Sequence, residues 1–102
     1  MIKIVIKIDE SSQKITSIEV KGHSNKDVYG KDLVCAAVSA VVTGGMNALN
    51  DKEFDLILEE GYSLIDSKHI PNDHDAIVLK TMQIQLQTIS ELEPKFVKIE
   101  IL

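Results

Sequence analysis

Arginine and tryptophan are absent from this chain of 102 residues, there is one cysteine, Cys35, and aromatic residues make up only 4%. A lone cysteine excludes an intramolecular disulfide, and residues 1–4 do not resemble the charged start of an export signal, so a reducing, cytoplasmic setting is expected. The longest apolar run, residues 33–42, contains Ser39 and is about half the length a membrane span needs, so no membrane association is expected. All eleven basic residues are lysines and the net charge is −5. Without the guanidinium fork that grips phosphate and guanine, and with an acidic excess, direct nucleic-acid binding is not expected. A cationic peptide or basic protein would be steered favourably, although most of the acidic residues read as solubilising surface. No glycine-rich phosphate loop is present, because Gly44-Gly45 falls within an apparent helix. With aromatics scarce and hydrophobic residues at 44%, Ile, Leu and Val must build the interior. The length fits one domain, residues 1–102.

Residues 2–8 alternate, with Ile2, Ile4, Ile6 and Ile8 on one face and Lys3, Val5 and Lys7 on the other, which predicts a half-buried strand. A polar turn leads to a second strand over residues 15–21, where Ile18 and Val20 oppose Glu19 and Lys21. Gly22-His23 closes it. Residues 24–31 are polar and aperiodic, with glycines at 22 and 30, and read as a loop able to move. A helix follows from residue 32 to about residue 49, so apolar in its first ten residues that a buried central element is expected, with Gly44-Gly45 weakening its second half. Phe54, Leu56 and Leu58, then Tyr62 and Leu64 beyond Glu60-Gly61, give a second hairpin. Asn72 caps a second helix carrying Leu79, Met82, Leu86 and Ile89 at helical spacing, which Pro94 ends. Ile77 and Ile84 lie off that stripe. Val97, Ile99 and Ile101 form a last strand. The fold class is α+β in ββαββαβ order, a mostly antiparallel sheet of about five strands with two helices.

Asp32 as N-cap puts Cys35 at the third helical position, where the partial positive charge of the helix start favours thiolate, the nucleophilic form. Cys35 taken alone also reads as a small buried hydrophobe, and His23 alone as a strand-end histidine. Together, with flanking glycines and an acidic cap, they suggest a dyad. Ser39, four residues on, shares the face of Cys35, and its hydroxyl either reaches the site or bonds back to the carbonyl of residue 35. Asp32 either orients His23 or only caps the helix, the cap being favoured. His69 and His74, beside Asp73 and Asp75, flank Pro71 at a spacing that does not stack on one helical face, so no metal site is expected.

Gly22-His23, then Tyr29-Gly30, Asp32, Cys35-Ala-Ala-Val-Ser39, then Asn47 and Leu49 resemble the ribosomal-processing cysteine protease family, Prp. The likeness is dense over residues 22–49 and holds in outline elsewhere; Ser24 stands where the family commonly has alanine. The resemblance implies a cytoplasmic homodimer that removes a short N-terminal extension from a large-subunit ribosomal protein, without a cofactor. It implies Cys35 as nucleophile, His23 as base, Gly22, Gly30, Asp32 and Ser39 as supporting positions, and backbone N–H groups at the helix start as stabilisers of the oxyanion. A non-catalytic ribosome-assembly protein with a structural cysteine and a thiol redox sensor are the competing readings. The first predicts an unreactive thiol, the second oxidation independent of His23.

Overall fold

A computed structural model of the chain describes residues 1–23 and 32–102. Its elements are β1 (Ile2–Ile8), β2 (Ile15–Lys21), α1 (Leu33–Ala48), a 3-10 turn (Asp51–Glu53), β3 (Phe54–Glu59), β4 (Tyr62–Ser67), α2 (Asp73–Leu92) and β5 (Val97–Ile101). This is the expected ββαββαβ order. The expected loop at residues 24–31, including Gly30, lies outside the described residues.

The five strands form one sheet in the order β3-β4-β2-β1-β5. Neighbours run antiparallel except β1 and β5, which are parallel. Alternation in β1 sends Ile2, Ile4 and Ile6 into the core, each at most 2% exposed. Burying an aliphatic side chain of this size contributes about 1.5–3 kcal/mol, so this strand is a main anchor of the core. In β2 the pairing shifts by one residue between Lys7 and Ile8, which face Ser17 and Ile15. The extra residue, Thr16, makes a bulge. It lets Ile15 join Ile18 and Val20 in the core despite the odd spacing. Both helices pack against this face, α1 with Val34, Val38, Val42 and Met46, α2 with Leu79, Met82 and Leu86.

Two sequence expectations change. The first helix is not buried all round: Leu33 is 82% exposed, and Ala36, Ala40, Gly44 and Ala48 face outward. Those outer positions are mostly Ala and Gly, which read as apolar yet expose little apolar area. Gly45 is also more than a weak point. A Cβ there would fall 2.1 Å from the Met82 sulfur, so this glycine sets how closely α1 and α2 approach.

In β3, Phe54 is buried, Leu56 is half-buried and Leu58 is exposed. The helix layer therefore opens progressively toward the β3–β4 turn, and the opening is the site described next.

Candidate active site

Asp32 caps α1 as expected. Its Oδ1 accepts hydrogen bonds from the N–H groups of Val34 at 2.9 Å and Cys35 at 3.1 Å, and its own carbonyl accepts the Ala36 N–H. Side-chain capping of this kind satisfies donors that the helix start leaves without intrahelical partners. It also commits the Cys35 N–H, one of the groups expected to receive an oxyanion, so a tetrahedral intermediate at this place would share that donor with Asp32. Cys35 itself is half-buried.

The thiol faces a cleft of about 130 Å³ between α1 and the β3–β4 hairpin. From α1, Cys35, Val38, Ser39 and Val42 line it, a one-face spacing along the helix. His23 reaches the same cleft from the end of β2, with Gly22 beside it. The expected nucleophile, base, Gly22 and Ser39 thus line one cleft, Cys35 and Ser39 from α1 and His23 and Gly22 from the side of the β3–β4 turn, and Asp32 sits at the start of the helix that carries Cys35.

His23 is held from two sides. Its carbonyl accepts a hydrogen bond from the Met1 nitrogen. Its ring lies over Gly61, where a Cβ would come 3.0 Å from Nε2. Gly22 has φ +94°, in the left-handed region, and a Cβ there would meet the Met1 carbonyl oxygen at 2.4 Å, so both conformation and space demand glycine. The Gly22 N–H donates to the Gly61 carbonyl at 2.9 Å, tying the end of β2 to the β3–β4 turn.

Gly61 was readable in the sequence only as a turn residue. Nothing local announces that a histidine far upstream will rest on it. Val38 and Val42 were missed by the sequence reading, although their spacing of three and seven residues from Cys35 is the signal that could have found them. Leu58, Glu59 and Tyr62 complete the opposite wall. The Tyr62 hydroxyl donates to Glu19 Oε2 at 2.8 Å, and this bond, with burial and the charges of Glu19 and Glu59, holds the phenol above its ordinary range.

His69 and His74 lie elsewhere, His69 Nε2 at 2.8 Å from Glu53 and His74 Nδ1 at 3.0 Å from Asp75. Among the described residues no group of three or more His, Cys, Asp or Glu side chains is placed to hold a metal ion. Among them, too, no helix is long and apolar enough to cross a membrane.

The arrangement can hold a peptide carbonyl beside a thiol at a helix start, with an imidazole in the same cleft and apolar lining from Ile2, Val20, Val38 and Val42. The chain as a whole is similar to known proteins. The ribosomal processing cysteine protease Prp of Staphylococcus aureus is 35% identical over 96 residues, spanning 89% of this chain and 90% of the relative. The protein of that name from Mycoplasma genitalium is 29% identical over 100 residues, spanning 93% and 94%. A crystal structure of the essential ribosomal processing protease Prp from S. aureus, in complex with a covalently linked product peptide, superposes with a TM-score of 0.91 at 32% identity, covering both chains fully. A second, with a substrate peptide, gives 0.85 at 31%, again with full coverage. The family model described as cysteine protease Prp matches residues 1–98, and the chain belongs to that family of cysteine proteases.

Proposed function

We propose that this cysteine protease removes a short N-terminal extension from a large-subunit ribosomal protein, with Cys35 and His23 as its catalytic dyad. The observation that carries the reading is that Cys35 and His23, from separate elements, line one cleft. A thiolate needs a helix start or a neighbouring cation, and an amine leaving group needs a proton; this cleft has candidates for both.

The Cys35 sulfur attacks the scissile carbonyl carbon, a C–S bond forms, and the carbonyl electrons move onto oxygen. His23, as imidazolium, gives its proton to the amide nitrogen as the C–N bond breaks, and the new amine leaves. Water then attacks the thioester, passing one proton to His23, and the C–S bond breaks to release the carboxylic acid, which gives its remaining proton to solvent, and to restore the thiolate–imidazolium pair. Gly22, Gly30 and Ser39 are supporting positions, and Asp32 holds the start of α1. No cofactor enters. The protein works in the cytoplasm as a homodimer, without direct contact to nucleic acid or membrane.

The test is cleavage of the ribosomal precursor by purified protein. Cys35→Ala and His23→Ala should each abolish the shortened product, and Cys35→Ala should leave the melting temperature nearly unchanged. Thiol alkylation near neutral pH should slow in His23→Ala. A folded Cys35→Ala protein that still cuts would eliminate the nucleophile assignment. Full activity in His23→Ala would eliminate the dyad.

A further inference from the structure

Leu58, 57% exposed, borders two hollows. One is the cleft at Cys35. The other, about 300 Å³, is lined by Thr43, Met46 and Asn47 of α1 and by Leu56 of β3. Both lie between α1 and β3 and have Leu58 as a shared border, so that together they outline a groove. From Cys35 to Asn47 the helix advances about 18 Å at 1.5 Å per residue, the length of about five residues of extended chain. β3 lies at the sheet edge, paired with β4. Its core-facing side chains Leu56 and Leu58 are incompletely covered by helix. The borders of the groove are acidic, with Asp51 at one end and Glu59 and Glu60 at the other.

We propose that the second hollow is a distal substrate subsite. It takes an apolar side chain of an extended peptide, two residues from the side chain seated in the cleft. This rests on the protease reading, since a peptide held at Cys35 must leave the cleft, and the second hollow adjoins the cleft across Leu58. Alternate side chains of an extended peptide point the same way about 6.6–6.8 Å apart, the same pitch that separates Leu56 from Leu58 along β3. One peptide side chain then falls on each side of Leu58. The acidic borders favour a peptide whose apolar pair is flanked by lysine or arginine. Specificity is thereby set at two places, of which only one adjoins the scissile bond.

Asn47→Trp tests the subsite, because Asn47 is exposed on α1 and an indole there fills the hollow without entering the core. Two substrates are compared, the full ribosomal precursor and a short fluorogenic peptide amide covering only residues next to the cut. A fluorescein-labelled peptide of the precursor's extension reports binding to Cys35→Ala by polarisation. With Asn47→Trp, KM for the precursor should rise about tenfold or more, the loss of one buried apolar side chain, with kcat changed by less than about twofold. Labelled-peptide binding should weaken by the same factor, and the short amide should be cut as before. Unchanged KM and binding would overturn the subsite while leaving the protease reading intact. A protein that cuts neither substrate, yet whose peptide binding still falls with Asn47→Trp, would overturn the protease reading and keep the groove. Absence of peptide binding in the parent Cys35→Ala would also overturn the subsite.

Discussion

Asp32 shows how one carboxylate can serve the start of a helix and constrain the chemistry beside it. It is buried, it accepts two backbone N–H groups, and one of these belongs to Cys35. Replacing a capping aspartate with alanine typically costs about 1 kcal/mol, whereas asparagine caps equally well. In a domain of this size that cost lowers the melting temperature by about 4–8 °C. Asp32→Ala should therefore melt earlier, and Asp32→Asn should melt with the parent. Activity separates the two roles weighed for this residue. If Asp32 acts as a cap, Asp32→Asn keeps cutting the precursor; a fall on the order of 10⁴ in kcat would instead mark a carboxylate that orients the base. At this scale the sequence was informative, because capping and helix-start chemistry depend on residues three or four apart. The rests of His23 on Gly61 and of Gly22 on Met1 were not legible, since each joins segments that only the folded sheet brings together.

Elements were legible where a period governs them. Alternation located β1 and β5, and helical spacing with Asn72 as cap located α2, whose Asp75 N–H donates to Asn72 Oδ1 at 2.8 Å. Periodicity gave no sign of the bulge at Thr16, which depends on how β1 faces β2. Nor did it separate Gly44 from Gly45, identical neighbours in sequence with opposite surroundings. A Cβ at Gly44 meets nothing within 4 Å, whereas one at Gly45 overlaps the sulfur and both flanking carbons of buried Met82. Alanine gains about 1 kcal/mol over glycine inside a helix, and overpacking a core costs about 1–3 kcal/mol. Gly44→Ala should accordingly raise the melting temperature by several degrees. Gly45→Ala should lower it, because the steric cost exceeds the helical gain. Thermal denaturation of the two variants measures both signs, and a stabilised Gly45→Ala protein would mean that α2 shifts at little cost.

Across the whole molecule, one sheet face and one side of each helix make a single core, and the outer surfaces of α1 and α2 remain. There Ile77 is 68% and Ile84 is 53% exposed, the two residues that stood off the α2 stripe in the sequence. Beside Ile77 a hollow of about 420 Å³ runs between the helices, floored on the α1 side by Ala40, Gly44 and Ala48. The sequence thus announced excess apolar surface on α2, but not the small-residue channel next to it, which requires knowing that α1 and α2 lie side by side. Exposed aliphatic residues beside a shallow apolar channel suit a two-fold contact in which the same patch serves both copies. The homodimer proposed for this protein would use that face. It leaves free the groove between α1 and β3, which opens elsewhere on α1, so two active sites would work independently. Light scattering at micromolar concentration should give twice 11.3 kDa, and Ile77→Lys with Ile84→Lys should return the monomer mass while the precursor is still cut. A monomeric parent would dismiss the dimer. A dimer that survives both lysines would move the contact to another surface, such as the exposed edge of β5 around Ile101.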